Sequence, residues 1–478
     1  MFQQTSTNTE SIDAGLENIF LWEEGSGRLA SLMAAKAEAG YSSGKWKAGQ
    51  SAWGKPGIAV SGMGKLYANR YSGQSFDTNV AVIYPATATH FTALWCYCRS
   101  PEFIIEVRKI DRKPKVTPNT FGKVPFDLER WTEVAAEVYP DGLPMPFSLD
   151  ATQWIFNGHP KDSDSSLQVA VARLVGYRWP RQTGSEFPDC PSLGPDGIES
   201  HADADGIVCL SSVRGEPTAA DRLLTLLADA YGPDWSADLR DKLLADVDAT
   251  GTTLDDWLRD SFFEQHLKLF HQRPFVWHIW DGLREGFNCL VNYHKLVGPS
   301  GEGRRTLEKI TYEYLGDWIA RQKAQQAAGE EGADARVAAA VHLQEQLAKI
   351  IEGEPPFDIF VRWKPLAEQA IGWDPDINDG VRLNIRPFMT ARPLGARGKK
   401  ACILRAAPGI KWDKDRGTEP DRPKDQFPWF WTWDGQSPDF LGGPKFDGNR
   451  QNDLHYTRKV KEAARAKAAG GKPREART

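Results

Sequence analysis

Acids, amides and arginines are concentrated in one short block, Gly372-Trp373-Asp374-Pro375-Asp376-Ile377-Asn378-Asp379-Gly380-Val381-Arg382-Leu383-Asn384-Ile385-Arg386-Pro387-Phe388. Asp374, Asp376 and Asn378 have the spacing of the first oxygen ligands of a calcium loop. Such a loop also needs glycine at its sixth position and a bidentate Glu at its twelfth, and those places hold Asp379 and Ile385. What remains is a Pro/Asn/Asp/Gly turn feeding a predicted strand over 381–386. Its alternation puts Val381, Leu383 and Ile385 on one face and Arg382, Asn384 and Arg386 on the other. A face of Arg, Asn and Arg carries the donors and acceptors that read guanine and adenine edges or grip phosphate.

Other chemistries leave weaker traces. Gly25-Ser26-Gly27 and Gly62-Met63-Gly64-Lys65 are the glycine pairs that could imitate a nucleotide loop, and neither sits cleanly between a buried strand and a helix of a βαβ unit. The patterns GxxxxGK[ST], HExxH and GxSxG do not occur. His266, His271, His278 and His294 fall in one segment, but their spacing does not place ligands on one helical face. Carboxylates are plentiful enough for a glycosidase pair, whose separation a sequence does not reveal. The six cysteines include no CxxC pair, so reduced, mostly buried thiols are expected and a zinc site is not.

Composition sets the frame. The 478 residues, 41% hydrophobic and 26% charged, are ordinary globular material with room for two to four domains. A formal net charge of -5 rules against binding nucleic acid through bulk positive charge, so any such contact must use a local basic surface. No apolar run approaches the ~18 residues of a membrane span, and the N-terminus lacks the charged and apolar regions of a signal peptide. A cytoplasmic protein is expected. Eighteen tryptophans, among them Trp412, Trp429, Trp431 and Trp433 in polar, Gly/Pro-rich surroundings, either pack under loops or offer stacking faces to bases or sugars.

These groups must be positioned by an α+β, mainly helical chain. Helices are predicted over 27–38 and 128–139, the second capped by Asp127, and over 167–177, ending at Gly176. A short strand is predicted at 80–84. Residues 90–111 read as a helix with an amphipathic continuation whose Arg108, Lys109, Arg112, Lys113 and Lys115 form a basic edge. Residues 181–206 read as a loop or insertion, 218–270 as helical almost throughout, and 306–351 as one or two long helices broken near 329–332. The last pair fits a helical spacer or a plain bundle equally well. The expected organisation is an irregular segment (1–85), a mixed α/β region (86–215), a helical domain (216–352), a loop-rich aromatic region (353–457) and a basic tail (458–478).

Arg273-Pro274-Phe275-Val276-Trp277-His278-Ile279-Trp280-Asp281-Gly282 followed by Gly286-Phe287-Asn288-Cys289-Leu290-Val291-Asn292-Tyr293-His294-Lys295-Leu296 resembles the C-terminal region of large adenine-specific DNA methyltransferases of type IIG restriction-modification and of the BREX and DISARM phage-defence systems. Blocks at 124–131, 167–180, 373–388 and 449–456 agree in the same order, so the resemblance covers roughly residues 90 to 460. It implies a target-recognition and spacer region that contacts double-stranded DNA. S-adenosylmethionine would then be bound by a separate methylase domain, because no complete Rossmann methylase domain is recognisable here. Glu354-Pro355-Pro356-Phe357 is the nearest string to the Asn-Pro-Pro motif that holds a flipped adenine, and it reads as a proline turn. The resemblance makes Arg273, His278, Arg382, Asn384, Arg386, Arg450, Asn452 and His455 the expected DNA-binding residues, with no catalytic or metal-binding residue, and implies a methylase or other defence-system subunits as partners. Two other readings stay open: a complete methyltransferase with a degenerate cofactor loop, and a Trp-rich carbohydrate-binding or scaffold protein.

Overall fold

The computed structural model describes residues 1–7, 9–19, 22–40, 47, 49–184, 192–298, 301–353, 357, 373, 375, 381, 384–398 and 400–410. They form a mixed α+β structure in which helices dominate and the strands make three small sheets. The chain divides into two compact units: residues 1–165 with 178–195, and residues 166–177 with 196–478.

In the first unit, β1 (Phe2–Gln4) lies between β2 (Asn18–Ile19) and β5 (Ser75–Phe76), antiparallel to the former and parallel to the latter. A second, antiparallel sheet orders β4 (Ala68–Tyr71), β3 (Gly57–Ser61) and β6 (Val80–Ile83). The residues over 90–111 form two helices, Phe91–Cys98 and Pro101–Ile110. Ser100 makes the break: its side chain accepts the Phe103 N–H and Pro101 starts the next helix, where a missing N–H costs nothing. Asp127 caps Leu128–Val138 by accepting the Arg130 N–H. Ile58 and Val60 of β3 pack with Trp95, Phe103, Val107 and Trp131 in one core, which is why residues 1–85 share a unit with the segment that follows them.

The second unit is built on the helix Ser166–Leu174, buried from Leu167 through Leu174. Arg173 within it makes a bidentate pair with Asp196, at 2.5 and 2.9 Å, so its buried charge is matched. The helix ends where Gly176 takes φ +72 and Tyr177 N–H donates to the Ala172 carbonyl. Helices Ala219–Tyr231, Ala237–Ala245, Leu254–Asp260 and Phe262–Leu269 follow, and then the long pair Leu315–Ala327 and Ala333–Glu352. A π-helical stretch over Lys309–Tyr314 precedes this pair, and Gln344 donates to the Thr311 carbonyl inside it.

The segments 273–282 and 286–296 form a hairpin. β8 (Val276–Trp280) pairs with β9 (Asn288–Asn292), which pairs on its other side with β7 (Ile207–Cys209). Two buried histidines and an aspartate fix this hairpin. His266 Nε2 accepts the N–H groups of Phe275 (3.3 Å) and Val276 (3.2 Å), so its proton sits on Nδ1 and is shared with Gln168 Oε1. His278 Nε2 lies 2.9 Å from Asn288 Oδ1; because Asn288 Nδ2 donates to the Gly286 carbonyl, the imidazole is the donor. Asp281 accepts from Leu283 N–H and Phe287 N–H across the loop.

Burial pulls His266 and His278 down to about 3 and pushes Asp281 up to about 6. Both histidines therefore stabilise the second unit fully above about pH 6.5, and that contribution drains as pH falls toward 3. Asp281 works oppositely, taking up a proton in the folded state first and offsetting one histidine below about pH 6. The urea midpoint of this unit should fall between pH 7.5 and pH 5, each histidine contributing up to about 1.4 kcal/mol per pH unit. Replacing both histidines by Gln should leave Asp281 acting alone and reverse the slope below about pH 6, and Asp281→Asn should steepen the parent's fall; a parent midpoint that rises on acidification would contradict this assignment.

Candidate nucleic-acid interface

The structure separates the residues expected to contact DNA. Arg273 is exposed. It follows His271 and Gln272, which hold φ +52 and +63, a left-handed conformation costing about 1–2 kcal/mol for each L-residue. Gln272 offsets part of that cost with two bonds: its N–H donates to the Leu267 carbonyl, and its Oε1 accepts the Gly409 N–H, both at 2.7 Å. His278 is fully buried and presents no edge to a duplex. Arg382, Arg450, Asn452 and His455 lie outside the described residues, as do Glu354, Pro355, Pro356 and the four C-terminal tryptophans singled out above.

The predicted strand over 381–386 requires correction. Val381 and Asn384 are helical, Ile385 N–H donates to the Val381 carbonyl at 3.0 Å, and the helix Arg386–Thr390 follows directly. Pro387 explains the outcome: it donates nothing to a strand ladder but suits the first turn of a helix. The same residues also satisfy helical spacing, with Val381, Asn384, Ile385 and Phe388 in register. Asn384 consequently points inward, 5% exposed, and donates to the Tyr293 hydroxyl at 2.8 Å. Arg386 is half-buried at the helix start, so the two residues do not share one solvent face.

A basic surface is assembled in the first unit. The turn joining β3 to β4 carries Lys65, and the segment after the helix Pro101–Ile110 carries Arg112, Lys113 and Lys115. Arg108 ties them together, donating to the Lys113 carbonyl at 2.5 Å and the Gly64 carbonyl at 3.0 Å. Lys115 forms a bridge with Met63 and reaches Asn79 Oδ1 at 2.9 Å. Lys65, Lys109, Arg112, Lys113 and Lys115 are exposed and Arg108 is half-exposed. The neighbouring carboxylates are engaged. Asp111 accepts the N–H groups of Lys113 and Thr117, which hold its carboxyl below the usual range, and Glu106 pairs with Lys109 at 2.5 Å. Glu106 is thus spent on Lys109, and Asp111 on ordering the loop that carries Arg112 and Lys113. The sequence marked the edge over 108–115 but not Lys65, which is joined to it only by chain reversal.

Neither glycine pair belongs to a βαβ unit. Gly62-Met63-Gly64 is the turn of an antiparallel hairpin, and Gly25-Ser26-Gly27 follows a strand paired antiparallel to β1. A Cβ at Gly27 would meet the Glu23 carboxylate at 2.3 Å, so a carboxylate already fills that cradle. Among the described residues, no three His, Cys, Asp or Glu side chains gather as metal ligands. The five described cysteines are unpaired, four buried and Cys96 half-buried. No described helix is long and apolar enough to cross a membrane. No family model matches the chain and no curated protein matches it.

Asn384→Ala should lower thermal stability by about 1–2 kcal/mol through the lost buried bond while leaving duplex affinity unchanged. Arg273→Ala, at an exposed position, should stay within about 0.5 kcal/mol of the parent. Thermal melts and fluorescence anisotropy on one set of variants check both; weakened duplex binding by folded Asn384→Ala would return that residue to the interface.

Proposed function

We propose that this chain is the DNA-recognition part of an N6-adenine-specific DNA methyltransferase of a restriction-modification or phage-defence system. S-adenosylmethionine and the transfer chemistry are supplied by a partner methylase domain. The adenine specificity and the partner follow from the family resemblance of residues 90 to 460.

The observation that carries the reading is the cluster of Lys65, Arg108, Lys109, Arg112, Lys113 and Lys115 on a chain whose overall charge is negative. A duplex offers one phosphate charge per ~1.7 Å of axis, and a rigid loop edged with cations meets it without first being ordered. Backbone contacts of this kind fix register and orientation, while base edges need Arg, Asn or Gln placed in a groove. Arg273 and Arg386, with Arg382, Arg450, Asn452 and His455, are the candidates for that second task.

Duplex affinity should fall linearly in a plot of log affinity against log salt between 50 and 200 mM. The double variant Arg112→Ala/Lys113→Ala should reduce the magnitude of that slope by about 2, weakening all sequences alike. Absence of duplex binding at 50 mM salt, both alone and with a methylase polypeptide, would overturn the proposal. Tryptophan quenching by oligosaccharide but not duplex would favour the carbohydrate-binding alternative.

A further inference from the structure

In the first unit, Leu143-Pro144-Met145-Pro146-Phe147-Ser148-Leu149 inverts the usual polarity of an extended segment. Met145, Phe147 and Leu149 face solvent at 69%, 42% and 43% exposure, while Ser148 between them is buried. Alternation of this kind normally puts the apolar set inside.

The segment is nevertheless held firmly from beneath. Asp13 and Arg70 form a buried bidentate pair, with both contacts at 2.6 Å. Asp13 also accepts the Phe147 N–H at 3.1 Å, and Arg70 donates to the Pro144 carbonyl. Arg181 donates to the Pro146 carbonyl at 2.7 Å, and the Leu149 carbonyl accepts the Asp164 N–H at 3.0 Å. Pro144 and Pro146 have no N–H to satisfy and narrow the backbone further. Three large apolar side chains are therefore displayed on a backbone already fixed, which lowers the ordering cost of binding.

Beside them lies a cleft of about 470 Å³. Met145, Phe147 and Leu149 form its apolar side, Asp150 and Asp164 add carboxylates, and among the described residues no Lys, Arg or His contributes to its lining. Of its charges, Asp13 is neutralised by Arg70, whereas Asp164 stands exposed at the rim.

We propose that this strip and cleft dock a segment of a partner protein that combines apolar side chains with a Lys or Arg. The apolar residues would cover Met145, Phe147 and Leu149, and the cation would meet Asp150 and Asp164. Charge complementarity selects this occupant: Asp150 is held by the Thr152 N–H and hydroxyl, both at 2.8 Å, but keeps its negative charge, and an acidic or purely apolar segment would desolvate Asp164 beside it with no cation to meet either. The volume suits a few side chains of a short peptide segment. This surface is independent of the DNA reading and stands or falls separately.

The probe is a displayed library of random twelve-residue peptides, selected against the full chain and counter-selected against Met145→Ser/Phe147→Ser. Both replaced residues are exposed, so the variant should melt with the parent. Enriched peptides should pair apolar residues with Lys or Arg. Their affinity should drop at least tenfold for Met145→Ser/Phe147→Ser and severalfold for Asp150→Asn/Asp164→Asn. No enrichment over the counter-selected variant, or enrichment of peptides lacking a basic residue, would overturn the proposal. A concentration-dependent dimer in sedimentation that Phe147→Ser abolishes would overturn it in favour of a second copy of this chain.

Discussion

A buried polar side chain is costly unless protein groups replace the water it gives up, and this constraint orders both units. In the second unit the imidazole of His266 meets it by accepting two backbone N–H groups and donating to Gln168. That arrangement joins the helix Ser166–Leu174 to the start of β8, and with it the whole hairpin. In the first unit the Asp13 and Arg70 pair does the same for the segment over 143–149. Neither device adds much net stability over an apolar core of equal volume. Each specifies one backbone path, because any other leaves a buried charge or lone pair without a partner.

The constraint also explains why polar residues in the resembling blocks divide into two groups. His278, Asn288, Asp281 and Asn384 are buried and spend their hydrogen bonds on the hairpin and its neighbours. Arg273 lies on the surface. The charges near the hairpin loop are mutually consumed: Arg284 pairs with Asp256, Asp260 and Glu285, and Arg405 lies over Trp280 while bonding Asp260. The cationic loop of the first unit differs, because there the Asp111 carboxylate is turned into its own loop.

Much of the helical structure was legible because its signals are local. Asp127 announces the helix it caps, Gly176 the end of another, and Gly329 to Gly332 the break between the long pair. The Ser100 and Pro101 break carried the same kind of signal within a continuous amphipathic pattern, which masked it. The β8–β9 hairpin was not legible, since its residues are buried on both faces and lose the alternation that marks a half-exposed strand. The strand expected over 381–386 failed for the complementary reason: its residues satisfy two periods, and Pro387 decides between them. Asn384 looked like a base reader because nothing adjacent reveals Tyr293, 91 positions away, as its partner. Lys65 could not be joined to the basic edge from sequence because the contacts that bring its turn there, Arg108 to the Gly64 carbonyl and Lys115 to Met63, span 44 and 52 positions.

The central claim is that the chain grips duplex DNA through the cationic loop around Arg108. Hydrogen–deuterium exchange of the full chain with and without a duplex tests it most directly. The account predicts slowed exchange in the peptides spanning 62–66 and 108–117 on adding duplex, reversed by raising salt. Bound duplex with unchanged exchange in both segments would contradict it.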